Sequence, residues 1–170
     1  MASSSSPERF YADATCLIGL ARIDRLDLLV VLPIPIYVTA VVWSEVTGDA
    51  TKPGTAAIHQ AADAGLLVIV EEGDPGALPE LDPGESSVLT AAAAAHAGVL
   101  ADERKARQVL TANGYFGGSI PVLTGVVGLL LFAKTRGRLR AVKPLLDDLI
   151  QQRFWISPSL YEMALRQAEE

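Results

Sequence analysis

The chain has 170 residues, half of them hydrophobic and a fifth charged, which suits a single sheet-based domain and excludes a disordered chain. Fourteen Lys and Arg stand against 20 Asp and Glu, a net charge of -6 that excludes a binder relying on a broad basic surface, although not phosphate chemistry whose cation is a bound metal. The single cysteine, Cys16, rules out an internal disulfide, and no apolar run is long enough to span a bilayer, so a soluble, reducing, cytoplasmic setting is expected.

Residues 1–8 are serine-rich, with neither a basic nor an apolar leader region, and read as a flexible tail ahead of a single domain over 9–170. Phe10, Tyr11 and Ala12 form a short apolar run that stops at Asp13, and Leu17, Ile18, Leu20 and Ala21 follow at helical spacing. Asp13 then has two readings. It faces the crevice at the carboxyl end of a strand, with Thr15 beside it, or it simply caps the helix. Cys16 falls on the apolar face of that helix as a buried thiol. Residues 22–27 are a charged turn, and a second apolar helix beginning with Leu26, Leu28 and Leu29 is stopped by Pro33 and Pro35. Ile36, Tyr37 and Val38 read as a buried strand, and Thr39 as the cap of the next helix. That helix carries Glu45, either a second acid past a strand end or an exposed helix carboxylate. A polar loop over 48–54 precedes a helix over 55–65 with His59 on its surface, and residues 66–70 read as a strand.

After a loop over 71–83, Asp82 stands at an N-cap, Pro83 at the first helical position and Glu85 at capping-box spacing, ahead of an alanine-rich helix to Ala95. His96 is a polar group suited to that helix's C-terminus. Val99, Leu100 and Ala101 repeat the opening pattern and end at Asp102, with Glu103, Arg104, Lys105, Ala106 and Arg107 beginning a helix to about Ala112. The glycine-rich turn over 113–118 lacks the Lys-Ser/Thr of a phosphate loop. A last strand is expected over 120–123, then Thr124-Gly125 and a helix over 126–135 ended by Gly137. Lys143-Pro144 opens a further helix, and Ser157-Pro158 caps the final one, residues 159–168. Trp43 and Trp155 are expected to pack.

Four acids recur at strand ends or in the helices that follow: Asp13, Glu45, Glu85 and Asp102. In a parallel sheet with helical crossovers these places share one rim. Converging carboxylates raise one another's pKa unless a cation lies among them, and hard oxygen donors suit Mg2+ or Mn2+. Such a site orients a water for in-line attack on phosphorus without needing a His, Cys or Ser nucleophile. A phosphatase with an Asp nucleophile would want a second acid at the place Thr15 occupies.

Four segments, taken together and in order, resemble the PIN-domain family and, within it, the VapC-like branch: Asp13-Ala14-Thr15-Cys16-Leu17-Ile18, Glu45, Gly84-Glu85 before the alanine helix, and the run from Ala101 to Arg107. Thr124-Gly125 and the Lys-Thr-Arg-Gly-Arg-Leu segment beginning at Lys134 belong to the same resemblance, which spans about residues 9–167. It implies a three-layer α/β/α sandwich with a mostly parallel sheet of about five strands. It implies an Mg2+- or Mn2+-dependent endoribonuclease acting on RNA, often the toxin of a toxin–antitoxin pair with a small antitoxin partner, and commonly a homodimer. Asp13, Glu45, Glu85 and Asp102 match its catalytic, metal-binding acids. Glu103 stands where relatives often have a second Asp, Thr15 and Thr124 match supporting hydroxyl residues, and Val126 stands where the branch usually has another hydroxyl. Arg104 and Arg107 would meet RNA phosphates or pair with nearby acids. A PIN fold without catalysis, acting as an RNA- or protein-binding module, is the alternative.

Overall fold

The computed structural model describes residues 6–114 and 119–170, with Glu103 described by its backbone alone. The first five residues of the expected tail and most of the expected glycine-rich turn, residues 115–118, lie outside that range. Five parallel strands form one sheet: β1 (Phe10–Ala12), β2 (Ile36–Thr39), β3 (Leu67–Val70), β4 (Gly98–Leu100) and β5 (Leu123–Thr124), in the spatial order β3-β2-β1-β4-β5. The helices are α1 (Ala14–Arg22), α2 (Ala40–Thr47), α3 (Thr55–Asp63), α4 (Pro83–Ala95), α5 (Glu103–Ala112), α6 (Val126–Thr135), α7 (Lys143–Gln151) and α8 (Pro158–Ala168). The chain steps from β1 through β2 to β3 in one direction and then crosses back to β4 and β5 in the other. Right-handed crossovers therefore place helices on both faces of the sheet, giving the expected α/β/α sandwich. Every residue of β1 and β4 is buried, which is why both read as uniform apolar runs without alternation.

The order reverses between β1 and β4, and strand ends flanking such a reversal leave a crevice at the carboxyl rim. At the opposite, amino ends of these two strands Phe10 pairs with Gly98, and a Cβ on Gly98 would lie 2.5–2.8 Å from the Phe10 ring. Leu17, Leu20, Leu89, Leu100, Leu110 and Ile120 are among the fully buried core residues.

Three expectations need correction. Residues Leu26–Val31 form a 3-10 helix, too short to settle into α geometry before the prolines at 33 and 35. The last strand lies at Leu123–Thr124 instead of 120–123: Pro121 has no N–H to give a ladder, so regular pairing starts where Leu123 meets Val99 and Thr124 meets Leu100. Trp155 is 75% exposed instead of packed. Trp43, by contrast, is half-buried with its ring edge-on to exposed His59 at 5.2 Å. Among the described residues, no helix is long and apolar enough to cross a membrane.

Glu170 secures the far end of the fold. Its Oε1 accepts from Val142 N and Lys134 Nζ, both at 2.7 Å, and its Oε2 from Lys143 N at 2.9 Å. One side chain thus supplies the cap that Val142, an apolar N-cap, cannot give α7. Lys134, then these two N–H groups, hold its carboxyl down at about 2. Glu170→Ala is expected to cost about 1 kcal/mol, the usual worth of a helix cap, and to lower the thermal midpoint by about 2–4 °C. Because the folded pKa is depressed, that contribution is present above about pH 4.5 and is lost as the pH falls toward 2. Calorimetric melts of both proteins at pH 7 and pH 2.5 should therefore differ at the first pH and converge at the second.

Candidate functional site

Asp13 follows β1 directly and is 1% exposed. Its backbone N–H continues the β1–β4 ladder to Leu100 O at 2.9 Å. Its carboxylate is held from two sides: Oδ1 accepts from Cys16 N at 2.9 Å, capping α1, and Oδ2 accepts from Asp102 N at 3.2 Å. The N-cap and crevice readings of Asp13 are thus both realised, one by each oxygen. Burial pushes its carboxyl up to about 6, against the opposing pull of the Cys16 and Asp102 N–H groups and the Cys16 thiol. The thiol itself is buried, and burial chiefly, with the neighbouring Asp13, holds it well above its ordinary range.

Asp102 stands two residues past β4, is exposed, and caps α5 by accepting from Lys105 N at 3.4 Å. Glu85 is half-buried at the third position of α4. It completes a capping box with Asp82: its N–H donates to Asp82 Oδ1 at 2.9 Å, and Asp82 N–H donates to its Oε2 at 3.3 Å. The same Oε2 takes an ion pair from Lys105 Nζ at 2.9 Å. Asp13, Glu85 and Asp102 line one cavity of about 10 Å³, room for a single water-sized occupant, whose other walls include Leu81, Val88 and Ala106.

Glu45 reaches this rim from the second turn of α2 and is exposed. Its carboxylate lies over the start of α4 against Gly84, whose N–H pulls its pKa down. Partial burial, then the charges of Asp82, Glu85 and Asp13, raise its pKa. A Cβ on Gly84 would fall 2.6–2.8 Å from the Glu45 carboxylate, so only glycine leaves it that seat. A buried hydroxyl relay fixes the start of α4. Ser87 Oγ donates to Gly84 O at 2.7 Å, and Thr39 Oγ1 lies 2.7 Å from Ser87 Oγ. Since Ser87 spends its proton on Gly84, Thr39 donates to Ser87 while accepting from Val42 N to cap α2.

Of the remaining expected residues, Thr124 is half-buried at the end of β5, beside Leu100 in register, with its hydroxyl directed to Gly125 O at 3.5 Å. Thr15 and Arg104 are exposed in the first turns of α1 and α5. The Glu103 side chain lies outside the described residues.

The four acids therefore share a rim and each other's fields, but they do not form a ready cage. Among the described residues, no group of three or more His, Cys, Asp or Glu is placed to hold a metal ion. Their oxygens are engaged by helix N–H groups and by Lys105. The donor set still fits Mg2+ or Mn2+, which are commonly bound through one or two carboxylates with waters completing the shell. The sequence reading names Lys105 and Gly84 only as members of longer segments and gives neither a role at the site. Each carried a signal, a cation in a helix's first turn against the dipole and a glycine inside a helix, both costly unless something local requires them.

A family model described as "DUF3368: PIN domain" matches residues 10–170. No curated protein and no solved structure matches the chain.

Proposed function

Since the chain belongs to the PIN-domain family, whose members are generally nucleases, we propose that it is a divalent-metal-dependent endoribonuclease working at the rim between β1 and β4. The observation that carries the reading is the buried Asp13 carboxylate, tied to the Asp102 backbone across the switch point and held near pKa 6. A carboxylate so placed is ionised at neutral pH in a poorly solvated setting, where it draws a cation strongly.

Asp13, Glu45, Glu85 and Asp102 would hold Mg2+ or Mn2+. When bound, the ion neutralises the phosphodiester and lowers the pKa of its water. The protein's share is positioning. The N–H groups of Cys16 and Asp102 keep Asp13 in one rotamer, and the bare backbone of Gly84 leaves the Glu45 carboxylate its place at the rim. The N-termini of α1, α4 and α5 lie at the rim, and their dipoles favour the approach of a phosphate. Thr124 and Thr15 offer hydroxyls near the strand ends, Glu103 is one more acid in the first turn of α5, and Arg104 presents a cation to the RNA backbone. The toxin role, with a small antitoxin and a homodimeric form, belongs to the same proposal and rests on the resemblance alone.

A second reading, a PIN fold acting only as a binding module, is favoured by the Lys105 ammonium seated on Glu85. End-labelled RNA incubated with the purified protein separates the two. Cleavage with Mn2+ that stops on chelation is expected. RNA retention without cleavage at any Mn2+ concentration would instead establish the module.

A further inference from the structure

We propose that the Lys105 ammonium competes with a divalent cation for the Glu85 carboxylate, so that a cation entering beside Asp13 and Asp102 must first displace Lys105. The inference rests on reading this rim as a metal site. Two contacts from one residue carry it: Lys105 Nζ lies 2.9 Å from Glu85 Oε2, and its backbone N–H donates to Asp102 at 3.4 Å. Asp82 and Asp102 add to the field that holds the ammonium there. The helix itself opposes the arrangement, because a cation in the first turn faces the positive end of the α5 dipole. The Lys105 side chain is 48% exposed and that of Glu85 18%. The ammonium can therefore swing into water at little cost, whereas Glu85 stays at the cavity it lines with Asp13 and Asp102. A divalent ion attracts the same carboxylate with twice the charge, so at sufficient concentration it prevails. Lys105 thus sets the cation concentration at which Glu85 becomes available, and it covers that carboxylate below it.

The test is a calorimetric Mn2+ titration of wild type, Lys105→Gln, Lys105→Arg, Arg104→Gln and Asp13→Asn, each first shown to melt cooperatively. Lys105→Gln should bind Mn2+ about three- to fivefold tighter than wild type, the scale of a part-exposed ion pair. Lys105→Arg should return to the wild-type value. Arg104→Gln removes the same charge one residue away and should tighten binding less than about twofold, through screened solvent. No tightening in Lys105→Gln, or equal tightening in Arg104→Gln, overturns the competition while leaving the metal site standing. If wild type shows no Mn2+ binding beyond that of Asp13→Asn, the metal site itself falls, and the competition with it.

Discussion

Asp13→Asn is expected to lower Mn2+-dependent RNA cleavage by about 10²–10³-fold, the scale for deleting one preorganised electrostatic group, while leaving a folded protein. The stability terms nearly cancel at neutral pH. Asn caps a helix as well as Asp does, so the bond from Cys16 N survives. Its amide NH2 must then face Asp102 N–H, leaving a buried donor unsatisfied at about 1–3 kcal/mol. Against this, the variant no longer desolvates a charge. With Asp13 at about 6 in the folded chain against an ordinary 3.8, that penalty is about 3 kcal/mol above pH 6. The sign follows from the raised value. Between about pH 4 and 6 the folded chain binds more protons than the unfolded one, so this group makes stability fall as pH rises through that window. In chelator-treated samples, the wild-type urea midpoint should therefore lose ground between pH 4 and pH 6 relative to Asp13→Asn. Parallel pH profiles, or a variant that cleaves RNA normally, would remove Asp13 from the role given to it.

Gly84→Ala is expected to separate activity from stability in the opposite sense. Alanine is the better helix former, so the variant should be as stable as wild type or more so, by up to about 1 kcal/mol. Its methyl group, however, claims the space 2.6–2.8 Å from the Glu45 carboxylate, which sits on a flexible side chain and will move away. Glu45 then leaves the rim it shares with Asp13 and Glu85, and activity should fall about 10- to 100-fold, as when a residue supporting a metal ligand is lost. Measuring kcat and Mn2+ affinity beside a thermal melt decides it. Full activity in a stable Gly84→Ala protein would mean that Glu45 is not needed where it stands.

Much of this architecture is legible because its signals are local. Phe10 to Ala12 ending at Asp13, Thr39 as a cap, and the Asp82-Pro83-Gly84-Glu85 box each occupy a few consecutive residues, and the structure realises each in place. What was not legible depends on partners far along the chain. The position of β5 is set by its pairing with Val99 and Leu100, not by its own composition. The same holds for the Glu45 seat, made by a glycine 39 residues later, and for the Lys105–Glu85 pair, which joins the starts of two helices. Trp155, in the connection between α7 and α8, is likewise exposed, which the aromatic residue alone does not announce.

The bond from Asp102 N–H to Asp13 spans 89 positions of sequence. During synthesis, the opening strand and its acid emerge from the ribosome long before the segment that orients them. A nascent chain that has not yet extruded β4 holds Asp13 with one of its two donors missing and with β1 flanked by β2 on one side only. The rim is therefore assembled late, in the same step that completes the middle of the sheet, and on the proposed function a partly made chain would have no working centre to misuse.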